Sequence, residues 1–336
     1  MATINDVAKR ANVSPATVSR VLNGYSIVST KTRNAVYSAI EELGYKPGKR
    51  GRTATHQISR TIMVITFGQW PTVIEGITDA ALEAGFDSII INTKPGLTPS
   101  FMRYIDSGFI DGIILHNIML EHKVLNSLMN KCPLVQCGDC QNISGGNLVD
   151  YDNEKAAYDL TEHLIAKGRK RLAFISLETV YGHKLKFLIQ RTSGFRKALQ
   201  NHGLEVNPAF IIRTTLAPRF GFNEYLTAEN KVIEDILSLD ENSRPDGIVF
   251  TSDMLAVCCM RIAQRLNIEI PKDLSVVAFD NTAYCQVTDQ KISSLVWPAY
   301  EMGYKASELL TKIIDKKITE PKRIMLDYKM VLRDTD

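Results

Sequence analysis

The chain has 336 residues, of which 45% are hydrophobic and 23% are charged, with a net charge of +3. This composition is typical of a globular protein of two or three domains, and no apolar run reaches the roughly 18 residues that a membrane span requires. The N-terminus lacks the pattern of a signal peptide, and six cysteines are too few for a disulfide scaffold. We therefore expect a cytoplasmic protein with no membrane association.

Charge is distributed unevenly along the chain. Residues 1–60 contain ten Lys or Arg against three Asp or Glu, a net charge of +7, whereas the remaining 276 residues contain 30 against 34, a net charge of −4. A small basic terminal domain is the electrostatic pattern of a nucleic-acid-binding protein. A solvated basic surface without a partner would have the same charge. Charge alone therefore does not distinguish the two, and the pattern of residues is needed.

Three short helices are predicted in residues 1–45. Thr3 and Asp6 have the spacing of a capping box for the first helix. Ser14 and Pro15 are a favourable N-cap and first residue for the second. Ser29 or Thr30 can cap the third. The side chains predicted to face the core of this domain are Ile4, Val7, Ala8, Ala11, Val18, Val21, Leu22, Val36, Ile40 and Leu43.

Two short helices joined by a tight turn, with a third that closes the core, form a helix-turn-helix domain. Its second helix enters the major groove of DNA. The residues that the apolar face leaves outward on this helix are Pro15, Ala16, Thr17, Arg20 and Asn23. Arg20 can pair with guanine through two hydrogen bonds, and Ala16 and Thr17 suit a thymine methyl group. The alternatives are that Ser14 and Thr17 act only as caps and that Arg20 contacts a phosphate.

The segments "TINDVAKRANVSPATVSRVLNG" and "STKTRNAVYSAIEELGYKP" resemble the DNA-binding head of the lactose-repressor (LacI/GalR) family of bacterial transcription regulators. The resemblance implies a homodimer whose two heads bind a near-palindromic DNA operator. It also implies base or backbone contacts by specific residues, carried over by position: Ser14, Pro15, Ala16, Thr17, Arg20, Asn23, Thr32 and Tyr45.

Residues 46–60 contain five basic residues and no acid. Family members have a hinge helix here, but this chain carries Gly48, Gly51 and Ala54, and glycine costs up to about 1 kcal/mol in a helix interior. The spacing resembles that of the cytidine-repressor branch of the family. We predict a flexible basic linker that contacts phosphates or the minor groove, with these candidate DNA contacts: Lys49, Arg50 and Arg52. A solvated linker is the alternative.

From residue 61 onward, strand-like and helix-like segments alternate, which predicts parallel sheets covered by helices on both faces. The predicted fold is thus an all-α head followed by a two-lobed α/β core with doubly wound sheets, similar to the periplasmic binding proteins that the family core resembles. The resemblance implies that the chain crosses between lobes near residues 151, 282 and 322. The N-lobe would contain residues 61–151 and 282–322, and the C-lobe residues 152–281 and 323–336.

A ligand would lie between the lobes, outside the carboxyl ends of the strands. By resemblance, Arg191 binds ligand hydroxyls or a carboxylate, and Asp280 binds ligand hydroxyls. Such a pair suits a nucleoside or a sugar. Further candidates are three aromatic rings, which composition alone places more readily in the core, and two weaker polar positions: Phe67, Trp70, Trp297, Asp139 and Ser252. The loop "TFGQWP" is shorter than its family counterparts, which predicts a pocket of different shape or a weaker response to ligand.

Other classes of function have less support. The chain lacks the common nucleotide-binding and nucleophile motifs of enzymes on doubly wound folds, so we predict no catalysis and no cofactor. Cys137 and Cys140 have no second ligand pair at the spacing of a zinc site. A transport binding protein would not need the basic head. The remaining alternative is an operator-binding regulator with little ligand response, controlled by a partner such as another DNA-bound regulator.

Overall fold

A computed structural model of the protein describes residues 2–22, 28–45, 59–68, 70–93, 101–138, 140, 143, 145–177, 186–214 and 230–336. The chain forms two compact units, Met1–Ile58 and Ser59–Asp336. No helix in the described ranges combines the length and apolar character needed to cross a membrane.

The first unit contains three helices, α1 Ile4–Arg10, α2 Pro15–Leu22 and α3 Thr30–Glu42. The predicted capping box is present: the Asp6 amide donates to Thr3 Oγ1 over 3.3 Å, and the Thr3 amide donates to Asp6 Oδ2 over 2.7 Å. Ser29 caps α3. Val7, Val18 and Val36 form the centre of the small core. The inward prediction for Leu43 is wrong, because its side chain is exposed and Ala39 is buried instead.

The second unit alternates strands and helices. Its strands are β1 Thr61–Thr66, β2 Asp87–Asn92, β3 Gly112–His116, β4 Leu134–Cys137, β5 Asn147–Tyr151, β6 Leu172–Leu177, β7 Ile211–Thr214, β8 Gly247–Phe250, β9 Ser275–Phe279, β10 Ser293–Val296, β11 Arg323–Leu326 and β12 Lys329–Val331. Its α-helices are α4 Pro71–Glu83, α5 Met102–Asp106, α6 His122–Met129, α7 Asn153–Ala166, α8 Lys186–Asn201, α9 Lys231–Leu237, α10 Asp253–Arg265, α11 Tyr284–Val287 and α12 Ala299–Ile314.

The strands form two six-stranded sheets, one in each lobe. The N-lobe sheet has the order β11-β5-β4-β3-β1-β2, and the C-lobe sheet has the order β12-β10-β9-β8-β6-β7. All pairings are parallel except that of β10 with the C-terminal strand β12. The interiors of both sheets are apolar, as parallel sheets with two covered faces require. The predicted head and two-lobed α/β core are therefore confirmed.

The predicted crossings near residues 282 and 322 are wrong. Strand β10 pairs with β9 in the C-lobe, so the chain stays in that lobe until Val296. Strand β11 pairs with β5 in the N-lobe, so Arg323–Leu326 belongs to the N-lobe. Only the first crossing, after Tyr151, agrees with the prediction. The other two crossings lie between β10 and α12 and between β11 and β12. The residue pattern of the short strands β10 and β11 does not show to which of the two sheets each one belongs.

Close helix crossings hold each lobe together. In the N-lobe, α4 crosses α12 where a Cβ added to Gly76 would lie 2.1 Å from the Tyr300 carbonyl oxygen, and one added to Gly303 would lie 2.1 Å from the Val73 oxygen. In the C-lobe, a Cβ on Gly194 of α8 would lie 2.0 Å from the Glu154 oxygen of α7. Only glycine allows such approaches, and this packing fixes α8, which carries Arg191, against its lobe.

Candidate DNA-binding surface and ligand cavity

The outward face of α2 carries the side chains predicted to contact DNA bases. Val18 and Val21 are buried, whereas Pro15, Ala16 and Arg20 are exposed. Ser14 Oγ accepts from the Thr17 amide over 3.1 Å, and the two hydroxyl oxygens are 2.9 Å apart. Ser14 and Thr17 therefore form the N-terminal cap of this helix, and the exposed Ser14 stays next to the outward face.

Of the other predicted DNA contacts, Thr32 and Tyr45 are among the described residues. The Thr32 amide donates to Ser29 Oγ over 3.2 Å within the cap of α3, and Tyr45 is half-buried against the core of the head. Asn23 and the linker residues lie outside the described residues, as does Asp139 of the predicted ligand site: Asn23, Lys49, Arg50, Arg52 and Asp139.

A cavity of about 510 Å³ lies between the carboxyl ends of the two sheets. Six of the seven predicted ligand-binding residues line it, and they come from both lobes: Phe67, Trp70, Arg191, Ser252, Asp280 and Trp297. The structure thus brings together residues that are up to 230 positions apart in the chain. A volume of this size suits a small molecule of the size of a sugar or a nucleoside.

Arg191 is buried, with 4% of its surface exposed, and its guanidinium is held by three neutral acceptors. Its Nε donates to Asn153 Oδ1 over 2.9 Å, one Nη to the Thr251 carbonyl over 3.3 Å, and the other Nη to Tyr151 Oη over 2.6 Å. The Phe279 ring lies 3.8 Å from its guanidinium carbon. Because five N–H groups are available on arginine, this fixed guanidinium keeps donors for a ligand.

Asp280 follows β9 in a left-handed backbone conformation, with φ of 99°. The Trp297 indole N–H donates to its Oδ1 over 3.0 Å. Burial raises the pKa of the Asp280 carboxyl to about 6, although the Arg191 charge opposes this increase. An acid with this environment is well suited to accept hydrogen bonds from ligand hydroxyls, since a polar ligand would replace the lost water.

The raised pKa of Asp280 predicts a pH-dependent stability. Below the unfolded value of 3.8 the carboxyl is protonated in both states. Between 3.8 and about 6 the unfolded chain ionises while the folded chain keeps its proton, so stability falls over this range and changes no further above about pH 6. Asp280→Asn cannot ionise and still offers an oxygen to Trp297. Its melting temperature should therefore rise relative to wild type by a few degrees as pH increases from 3.8 to about 6, and the difference should stay constant at higher pH.

Scanning calorimetry of the ligand-free protein measures this difference. Asp289→Asn is the matched control, because Asp289 is an exposed acid of the same lobe, and its difference from wild type should not change with pH. A difference between Asp280→Asn and wild type that is also independent of pH would contradict the assigned environment.

Aromatic rings contact one another near the connections between the two lobes. Trp297 stacks on Tyr151 with ring centroids 6.0 Å apart and an interplanar angle of 10°. Trp70 meets Trp297 edge to face at 5.9 Å. Tyr328 lies 6.5 Å from Tyr151. Tyr151, Trp297 and Tyr328 stand at the three places where the chain passes between lobes, so a change in lobe orientation must move this cluster.

Sequence reasoning missed several residues of the cavity wall. They lie at or just after the ends of strands and in the first turns of helices: Asn117, Asp150, Tyr151, Asn153, Phe187, Thr251, Met254 and Met302. In the sequence, Asp150 and Tyr151 belong to the strand-like segment "NLVDY". Their position at the carboxyl end of β5 was the available signal, because the ends of parallel strands border such a crevice.

The two cysteines considered as a metal site are buried in the N-lobe. Cys137 Sγ lies 3.7 Å from the Met302 carbonyl oxygen, and Cys140 Sγ lies 3.3 Å from that of Leu115. Burial raises the pKa of the Cys137 thiol well above its usual value. Both thiols are therefore packed as small apolar groups with weak hydrogen bonds.

Comparison with known protein families agrees with the division into head and core. The family model described as "Bacterial regulatory proteins, lacI family" matches residues 3–48. The model described as "Periplasmic binding protein-like domain" matches residues 161–335, more than half of the chain.

Two curated relatives cover nearly the whole chain. The HTH-type transcriptional regulator RegA of Clostridium saccharobutylicum is 30% identical over 341 aligned residues, which cover 99% of this chain and 98% of RegA. The HTH-type transcriptional repressor CytR of Escherichia coli K12 is 29% identical, with 99% of this chain and 95% of CytR covered. These near-equal identities do not single out the cytidine-repressor branch.

Solved structures show the same fold. The complex of the transcriptional regulator CelR with cellobiose has a TM-score of 0.69 and 24% identity and covers 100% of both chains. The lac repressor dimer bound to operator and the anti-inducer ONPF has a TM-score of 0.67 and 21% identity, with 99% of this chain and 98% of that chain covered. The relatives and the fold are those of DNA-binding regulators and not of enzymes. The chain belongs to the LacI family of bacterial transcription regulators.

Proposed function

We propose that the protein is a cytoplasmic homodimer that represses transcription from a near-palindromic operator and is controlled by a nucleoside or a sugar bound between its lobes. In this proposal α2 contacts bases through Pro15, Ala16, Thr17 and Arg20, and Ser14 supports this helix end. The linker residues Lys49, Arg50 and Arg52 add contacts to DNA phosphates.

The exposed surface of α2 supports the DNA-binding part. Arg20 is exposed on α2, whereas Val18 and Val21 of the same helix are buried in the core of the head. Small side chains at Pro15 and Ala16 allow the N-terminal end of α2 to approach the floor of the major groove closely.

The observation that carries the ligand-binding part is the composition of the inter-lobe cavity. Arg191 and Asp280, both from the C-lobe, supply fixed donors and an acceptor, while Phe67 and Trp70 supply apolar rings from the N-lobe. Sugars and nucleosides combine hydroxyl groups with apolar faces in this way. The CelR structure, in which a regulator of the same fold is complexed with cellobiose, supports a sugar-like effector.

Ligand binding would control operator binding through lobe closure. A molecule that contacts Phe67 and Trp70 of one lobe and Asp280 of the other binds the closed arrangement better than the open one. Such differential affinity shifts the equilibrium between arrangements and thereby changes operator affinity.

A two-part experiment tests this function. Purified full-length protein should retard a palindromic fragment from the region upstream of its own gene, and nucleosides or sugars that raise its melting temperature should change that retardation. Failure to prefer this fragment over scrambled DNA would refute operator binding. Retardation without any response to stabilising compounds would instead favour control by a partner protein, such as another DNA-bound regulator.

A further inference from the structure

Asp150 is a buried acid of the cavity wall that the proposed function does not use. It lies near the carboxyl end of β5 in the N-lobe, lines the cavity, and has 4% of its surface exposed. The Tyr151 amide donates to its Oδ1 over 2.8 Å. Among the described residues no Lys, Arg or His nitrogen lies within 4.0 Å of its carboxylate oxygens. Within the described part of the chain, Asp150 therefore has no counter-ion in direct contact.

The charged groups around Asp150 act on it from a greater distance. They are Lys186 and Arg191 of α8 and Arg323 of β11. Burial nevertheless raises the pKa of the Asp150 carboxyl, because these cations do not replace its lost water. An unpaired buried carboxylate is costly, so its presence in the wall of a ligand cavity calls for a partner that arrives with the ligand.

Arg191 is the basic residue of the described cavity wall, and it already donates hydrogen bonds to other protein groups. Arg191 directs its hydrogen bonds to three neutral acceptors, Asn153, Thr251 and Tyr151, and forms no ion pair within 4.0 Å among the described residues. The charged residues that line the cavity in the described part of the chain are Asp150, Asp280 and Arg191, so two acids face one base, a net charge of −1.

The apolar part of the cavity also suits a cation. Trp70 and Trp297 meet edge to face at 5.9 Å, and both line the cavity with Phe67 and Phe187. The faces of aromatic rings attract ammonium groups within about 6 Å. Two acids and several aromatic rings therefore line the same cavity, and both kinds of side chain attract a positively charged group.

We propose that Asp150 is a specificity-determining residue that, together with Asp280 on the other lobe, selects an effector bearing a protonated amine, such as an amino-substituted sugar or nucleoside. This inference rests on the proposed ligand-binding function and narrows it. The ammonium group supplies Asp150 with a counter-ion and is attracted by the charge of Asp280, and the hydroxyl groups of the same molecule remain for Arg191. Because the two acids belong to different lobes, the amine also favours their approach.

Isothermal titration of full-length protein with matched compounds tests this selection. The probes are the 2-, 3-, 4- and 6-amino derivatives of glucose against glucose itself, and 5′-amino-5′-deoxyadenosine against adenosine. At least one amine should bind about 10- to 100-fold more tightly than its hydroxyl parent, the gain from one charge-assisted hydrogen bond. Asp150→Asn should lose this preference and retain the affinity for the parent within about threefold.

A second measurement distinguishes recognition from a structural role. Ligand-free Asp150→Asn should melt above wild type at pH 8, because the variant keeps an acceptor for the Tyr151 amide and removes an unpaired charge. Asp327→Asn removes an exposed acid outside the cavity wall and should change neither melting nor preference.

The outcomes separate this inference from the function on which it rests. If glucose or adenosine binds as tightly as its amines, or if Asp150→Asn retains the preference, amine selection is overturned while the ligand site stands. If no compound of either kind binds, the proposed effector class and amine selection are both overturned.

Discussion

Arg20→Ala is expected to weaken operator binding by at least about 30-fold while leaving the head folded. A bidentate arginine–guanine contact contributes roughly 1–3 kcal/mol of discrimination, and a symmetric dimer loses it in both half-sites. Arg20 is exposed on α2 and takes no part in the core of the head, which is formed around Val18 and Val21. Its removal should therefore affect recognition and not stability.

Fluorescence anisotropy with operator and scrambled duplexes of equal length measures this effect, and circular dichroism monitors folding. Lys9→Ala is the matched control, since Lys9 is an exposed cation on α1 of the same domain. Lys9→Ala should weaken binding to both duplexes equally. If Arg20→Ala also weakens both duplexes equally, Arg20 contacts phosphate and does not read a base.

Arg191→Ala is expected to lower the stability of the core and to abolish its response to ligand. It removes the donor to Asn153, Thr251 and Tyr151, and buried acceptors without partners cost about 1–3 kcal/mol each. Because the cavity and water can satisfy part of this loss, we expect about 2–4 kcal/mol less stability in total. Any compound that stabilises the wild-type protein should lose its effect on this variant.

Denaturant unfolding and thermal shift with the same compounds test this expectation. Arg196→Ala is the control, because Arg196 is exposed on the same helix and should retain both stability and the ligand response. A ligand-induced shift that survives in Arg191→Ala would show that the compound binds elsewhere. Arg191→Lys should also fail to restore binding, since lysine cannot reproduce the planar arrangement of donors.

The head and most of the core could be predicted from local patterns. The cap residues Thr3, Ser14 and Ser29 have strong preferences for helix starts, so the three helices of the head begin where expected. Continuous apolar segments such as "GIILH" and "SVVAF" predict interior parallel strands, and both are fully buried. These elements are specified by residues close together in the chain.

The predictions failed where a segment takes its place only from a distant partner. Strands β10, β11 and β12 are short, and β11 and β12 are partly exposed, so their patterns give no sheet assignment. Tyr151 and Asp150 look like ordinary strand residues until β5 is placed at the cavity. Leu43 has helical spacing, but α3 ends at Glu42, and the side chain points to solvent.

The cavity also explains why ligand chemistry was only partly predictable. Arg191 and Asp280 were identified by resemblance, and the structure places them at one cavity. Their partners, Tyr151 Oη and the Trp297 indole, belong to the connections between lobes. This arrangement brings the groups that would bind a ligand into contact with the segments that connect the lobes, and only the three-dimensional structure reveals it.

A ligand in the inter-lobe cavity and the operator on the head are expected to influence each other's binding. The most direct test is to titrate operator into full-length protein with and without a saturating compound that raises its melting temperature, and then to titrate the compound with and without operator. Operator affinity should change by about 5- to 150-fold, and compound affinity by an equal factor, as linkage requires. A compound that binds in the cavity and leaves operator affinity unchanged would contradict this coupling.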